Sequence, residues 1–146
     1  MRESAKPALF LASGTGYAPI RSILLKHLAM NAVRPMTLYW GGRSRKDLYM
    51  IQEADDLAAR YPNFRFVPVL SEPRPEDEWT GATGFVHLAV MRNIPDLSGW
   101  QVYACGAPLM VEAATRDFTK KCGLPETEFF ADSFVSMADL ARTGSI

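Results

Sequence analysis

Cysteine, histidine and net charge are scarce in this chain of 146 residues, and each shortage removes a class of function. Two cysteines, Cys105 and Cys122, supply neither a disulfide framework nor the four thiolates of an iron–sulfur cluster. The two histidines, His27 and His87, fall in helical patterns with no ligand neighbours in sequence, so no metal site is expected. No grouping of Ser, His and Asp stands out as a nucleophilic site. Sixteen basic and sixteen acidic side chains cancel, which removes the footprint of a nucleic-acid or charged-membrane binder. No apolar run approaches the roughly 20 residues of a membrane span. The stretch Met1 to Pro7 lacks the apolar core of a signal peptide, so the expected location is the cytoplasm. With 48% hydrophobic residues, the chain is long enough for one domain with its own core.

What is present begins with the stretch from Ala8 to Pro19. An apolar run of strand length, Ala8 to Ala12, ends abruptly in Ser13-Gly14-Thr15-Gly16, and an amphipathic segment follows at once. Strands buried on both faces read as continuous apolar runs of this kind. A glycine turn leading into a helix leaves orphan N–H groups and the positive end of the helix dipole facing the turn, which suits a pyrophosphate. The plain alternative is a sharp strand-to-helix turn of any α/β protein. The full Gly-x-Gly-x-x-Gly fingerprint is absent, because Pro19 stands where the third glycine belongs. Pro19 instead fits the first turn of a helix, where a missing N–H costs nothing.

Apolar runs then alternate with helical patterns to the end. Ile20, Ile23, Leu24 and Leu28 predict a helix reaching about Asn31, and Met36 to Tyr39 a second strand. Asp47 to Arg60 reads as a helix, with Leu48, Ile51, Ala54 and Ala58 inward and Gln52, Glu53, Asp55 and Asp56 on a solvated face. A third strand spans Phe64 to Leu70, a helix Gly84 to Arg92, and a fourth strand Gln101 to Cys105. Pro108 opens the last helix, with Val111, Ala114 and Phe118 inward and Gly123 as its stop, and Glu128 to Asp132 is the fifth strand. Five strands with helices between them predict one doubly wound parallel sheet of order 3-2-1-4-5, whose ligands sit beyond the carboxyl ends of the strands.

The residues at those ends form a series: Ser13-Gly14-Thr15-Gly16, Gly41-Gly42-Arg43-Ser44-Arg45-Lys46, Ser71-Glu72-Pro73, Cys105-Gly106-Ala107-Pro108, and Phe130, Asp132 and Phe134. Glycines at three of the ends point to close backbone approach by an extended ligand. The same segments carry a resemblance. Ser-Gly-Thr-Gly-Tyr-Ala-Pro at 13–19, Leu-Tyr-Trp-Gly-Gly-Arg at 38–43, Asp-Leu-Tyr at 47–49 and Val-Leu-Ser-Glu-Pro at 69–73 come first. Trp-Thr-Gly-Ala-Thr-Gly at 79–84, Val-Tyr-Ala-Cys-Gly-Ala-Pro-Leu-Met at 102–110 and Phe-Phe-Ala-Asp-Ser-Phe at 129–134 complete the order. Together they resemble the C-terminal NAD(P)-binding domain of the ferredoxin–NADP reductase family. Bacterial flavin reductases, oxygenase reductase components and the CDP-6-deoxyglucoseen reductase type look nearest. The implied fold is the Rossmann-like sheet already read from the pattern.

The resemblance implies roles. Gly14, Thr15 and Gly16 would hold the cofactor pyrophosphate, beside Ser13, where relatives usually carry glycine, and Pro19. Gly41 and Gly42 would let the nucleotide approach, and Arg43, Arg45 and Lys46 would lie by the adenosine ribose, unless they are simply a solvated basic turn. No acid appears after the second strand until Asp47, so the reading leans to NADPH over NADH. Cys105 and Gly106 would sit beside the nicotinamide, though Cys105 is equally read as a small buried residue. Ala107, Pro108 and Met110 would shape the wall near the cofactor, and Asp132 closes the last strand end. Phe134 would approach the flavin or nicotinamide face, or else seal the core.

Hydride transfer needs an acceptor, and the family carries FAD or FMN on a preceding domain whose Arg-x-Tyr-Ser motif is missing here. Residues 1–134 therefore read as the dinucleotide-binding domain alone, with 1–7 as a linker remnant and 135–146 as an extension. The expected partners are a flavin domain and a downstream acceptor such as ferredoxin or an oxygenase. A homodimer through the uncovered apolar face is the expectation in the absence of that domain. The alternative reading is a stand-alone nucleotide-binding or regulatory module without turnover.

Overall fold

A computed structural model describes residues 5–30 and 33–133. The expectations placed on Phe134, on Asn31, on residues 1–4 and on 135–146 lie outside the described residues.

Six strands form one parallel sheet: β1 (Ala8–Ser13), β2 (Met36–Gly42), β3 (Phe64–Leu70), β4 (Ala82–Thr83), β5 (Gln101–Gly106) and β6 (Phe129–Ser133). Their spatial order is β4-β3-β2-β1-β5-β6, which is the expected order of the five long strands plus one two-residue strand at the edge. Between them lie α1 (Tyr17–Met30), α2 (Ile51–Arg60), α3 (Val86–Asn93) and α4 (Pro108–Lys121).

The period-two alternation of a strand divides β1 between two cores. Ala8, Phe10 and Ala12 face α1 and α2, where they meet Tyr17, Ile20, Leu24, Ala54 and Leu57. Leu9 and Leu11 face α3 and α4, where Val86, Ala89, Val90, Ala114 and Phe118 close over them. Covering on both faces explains why β1 from Ala8 to Ala12 is apolar throughout and β2 carries a single polar side chain, the buried Thr37.

Two helix starts differ from expectation. Arg45–Asp47 is a 3₁₀ turn, and α2 begins only at Ile51, because the Asp47 carboxylate accepts the Arg43 and Ser44 N–H groups and bends the chain there. Leu48 is still buried, but from the connecting turn, and Leu57 takes the place expected of half-buried Ala58. Glu53, expected on the solvated face of this helix, is instead held by α1, as described below. In the second case Gly84 and Phe85 stay outside α3, which starts at Val86.

Candidate functional site

The carboxyl ends of the strands open into a cleft of about 820 Å³. From the end of β1 it is lined by Ser13, Gly14 and Thr15, and from the end of β2 by Gly41, Gly42 and Arg43. Gly106, Ala107, Pro108 and Met110 contribute from the end of β5 and the start of α4. Phe85, Val86 and His87 form the opposing lip at the start of α3. A smaller basin of about 260 Å³ adjoins it, with Ser44, Lys46, Glu72 and Arg74 around it. Arg43 and Asp47 border both spaces, so the two form one extended trough.

Close backbone packing shapes the upper end. A side chain at Gly16 would strike the Cys105 carbonyl, and one at Gly106 would strike the Ser13 hydroxyl. Both glycines are therefore demanded by the approach of β1 and β5. Gly14 differs: it holds φ at +51° with open space where a Cβ would stand, so its glycine serves the turn and the ligand side. Ser13 joins the two turns, its Oγ accepting the Ala107 N–H at 3.0 Å. That bond satisfies the amide at the N-cap of α4, which has no side-chain cap of its own.

The remaining candidates are placed differently. Gly16 is buried against β5 and Pro19 is half-buried in the first turn of α1, and neither lines the cleft. Cys105 is 4% exposed within the core under α1, so its thiol does not border the cleft. Arg45 turns away, its guanidinium over the Trp79 ring at 5.3 Å and its Nε donating to the Asp77 carbonyl at 3.2 Å. Lys46 stays on the basin. Asp132 pairs with Cys105 in the β5–β6 register. Phe134 lies outside the described residues, and no group of His, Cys, Asp and Glu suited to a metal occurs among the described ones.

Several residues of the site were not singled out from sequence. Asp47 comes back to the end of β2, its Oδ2 accepting the Arg43 N–H at 3.0 Å; the Ser44-x-x-Asp47 spacing of a capping box was the available signal. Beneath the glycine turn, the Trp40 indole donates to the Gly14 carbonyl. Glu53 receives a bidentate Arg21 guanidinium and the Tyr17 hydroxyl. Arg21 holds the Glu53 carboxyl below its usual range, while burial and then the Glu53 bond push the Tyr17 phenol up. On the opposite lip His87 Nε2 meets Asp117 Oδ2 at 3.3 Å, and burial holds the imidazole below its ordinary pKa despite that carboxylate. Such an imidazole is neutral at pH 7.

Comparisons with known proteins bear on this geometry. The sequence model of an oxidoreductase NAD-binding domain matches residues 10–116. The CDP-6-deoxy-L-threo-D-glycero-4-hexulose-3-dehydrase reductase of Yersinia pestis is 44% identical over 135 residues, covering 92% of this chain and 40% of that protein. A component of the Na(+)-translocating NADH-quinone reductase of Neisseria meningitidis is 34% identical over 131 residues, covering 86% of this chain and 32% of that protein. Among solved structures, the Amycolatopsis cytochrome P450 reductase GcoB superposes with a TM-score of 0.82 at 32% identity, over 92% of this chain and 39% of its own. The chain thus spans about 40% or less of the length of these relatives. They bear out the resemblance read from the motifs.

Proposed function

Since the chain belongs to the oxidoreductase NAD-binding domain family, we propose that it binds NADH along the strand ends as the dinucleotide half of a flavin-dependent reductase. The observation that carries this reading is the single trough joining the turns after β1, β2 and β5. The pyrophosphate lies at Gly14 and Thr15, the adenosine ribose at Arg43 and Asp47, and the nicotinamide toward Gly106 and Ala107. Cys105 and Gly16 then act through the backbone packing that narrows this end.

Asp47 supports NADH as the dinucleotide. An acid at the end of the second strand accepts the ribose 2′-OH, whereas a 2′-phosphate needs cations without a facing carboxylate. Asp47 and Glu72 both border the basin and partly offset Arg43, Lys46 and Arg74, while Arg45 is drawn off onto Trp79. The Neisseria relative is named for NADH. The placement of Asp47 supports NADH, against the lean toward NADPH taken from its distance along the sequence.

A flavin, when bound by the neighbouring domain of such a reductase, takes the hydride. The part played by this chain is to hold and orient the dinucleotide. Phe85, 65% exposed, and Leu109, 80% exposed, stand on the rim of the cleft as apolar ground for a flavin-carrying unit. Residues 1–134 form the dinucleotide unit in this reading, and a ferredoxin, iron–sulfur or oxygenase component receives the electrons. Two buried thiols, Cys105 and Cys122, suit the cytoplasm, and no helix among the described residues is long and apolar enough to cross a membrane.

Calorimetric titration tests the proposal. The chain is expected to bind NADH about tenfold tighter than NADPH, a difference of about 1.4 kcal/mol. Asp47→Ser keeps an oxygen for the loop amides and narrows that ratio toward one. A folded sample that binds neither dinucleotide overturns the reading, and turnover with added free flavin would show a reductase needing no attached flavin domain.

A further inference from the structure

Trp40 is fully buried at the end of β2, yet it reaches the glycine turn: its Nε1 donates to the Gly14 carbonyl at 2.9 Å. The ring is held on two sides. It stacks on Tyr17 with centroids 4.1 Å apart and planes 15° from parallel, and Tyr49 meets it edge-on at 5.3 Å. Tyr17 is itself tied down, its hydroxyl donating to Glu53 at 3.0 Å while Arg21 Nε and Nη2 grip the same carboxylate at 2.6 and 2.9 Å. An indole anchored this firmly dictates where the Gly14 carbonyl points.

The direction has a consequence for the next residue. A trans peptide is planar, so the Gly14 C=O and the Thr15 N–H, which share one unit, point in opposite directions. No cis bond occurs among the described residues. The Trp40 side chain belongs to the core under α1 and α2. The Thr15 N–H therefore points away from the Trp40 indole and the core that holds it. Thr15 is exposed and lines the cleft. The open φ of Gly14 permits this peptide orientation without a steric penalty.

We infer that Trp40 is a positioning residue for anion binding: by holding the Gly14 carbonyl inward it aims the Thr15 amide at the pyrophosphate of the dinucleotide. The inference rests on the function proposed above. Trp40→Phe keeps an aromatic ring to stack on Tyr17 and removes the donor, together with part of the buried ring volume. In the full chain it is expected to weaken NADH and ADP-ribose about tenfold by calorimetry, while adenosine, which carries no phosphate, binds as before by NMR titration. Equal losses for all three ligands would reduce Trp40 to a structural role, and unchanged NADH affinity would overturn the inference outright. Should that variant fail to fold, the wild-type chain supplies the second reading. On adding ADP-ribose, the Thr15 amide resonance is expected to move strongly downfield while the Trp40 indole N–H stays protected from exchange. A Thr15 amide that does not respond to bound ADP-ribose refutes the inference. If the wild-type chain binds none of these ligands, it is the proposed function that fails.

Discussion

At the end of the sheet where the long strands begin, polar side chains find their partners inside the molecule. Arg34 donates from Nε to the Lys6 carbonyl at 2.7 Å and from Nη2 to Gln101 Oε1 at 2.8 Å. Gln101 in turn receives the Tyr103 hydroxyl and donates to Glu128, which pairs with Lys6. At the opposite end, where the strands finish, glycines stand at the turns, and the surface is a trough bordered by backbone, apolar side chains, the cations Arg43, Lys46 and Arg74 and the carboxylates Asp47 and Glu72. A polar group buried by the fold must be satisfied within it, so the first end is closed and contributes stability. The second end stays open, its cleft lined by the turns after β1, β2 and β5.

The sharpest way to break this contrast is Arg34→Ala. It strips the starting end of its buried donor, and urea unfolding should show a loss of about 2–3 kcal/mol. NADH affinity should not change, because the cleft lies at the far end of the strands; a parallel loss of affinity would abolish the division of labour. A smaller effect of the opposite kind is expected from Ser13→Ala. The Ala107 amide loses its partner, at a cost of about 1 kcal/mol in stability. NADH should bind several-fold more weakly, since the turns after β1 and β5 are no longer joined.

The smallest effect concerns pH and His87 on the lip of the cleft. Burial lowers its pKa below the usual value near 6.5, so below that pH unfolded chains take up a proton that the folded imidazole refuses. His87 thus lowers the stability of the fold as pH falls below about 6.5, and above that value both states are neutral and it adds no pH dependence. Asp117 opposes this shift, while Arg116 and Lys121 reinforce it. In His87→Gln, thermal melts between pH 5 and 7 should show a shallower acid limb than in the wild-type chain. An unchanged limb would assign the pH dependence to other groups.

The long elements were legible because each carries its own period. Phe10 and Leu9 alternate faces as a doubly covered strand requires, and Ile20, Leu24 and Leu28 line one side of α1. β4 was not legible, since two residues are too few to show any period and its pairing with Val69 and Leu70 is a contact across the sheet. The 3₁₀ turn at Arg45–Asp47 was hidden because the apolar spacing of Leu48 and Ile51 imitates a helix, while one carboxylate bonding two backbone amides ends it.

The site divides in the same manner. Glycine turns after strands are written in the chain itself, because only certain residues tolerate those bends and close approaches. Hence Ser13 to Gly16, Gly41 to Arg43 and Gly106 to Pro108 stand out in the sequence alone. Which of their neighbours point into the trough depends on contacts between residues far apart along the chain. Trp40 reaches Gly14 across 26 positions, Tyr17 reaches Glu53 across 36, and His87 meets Asp117 from the next helix. Arg45 leaves for Trp79 and Cys105 withdraws into the core for the same reason. Local backbone chemistry settled that the strand ends would carry glycine turns around a cleft. Packing of distant side chains settled which residues line that cleft and which turn away from it, because that packing exists only once the sheet has assembled.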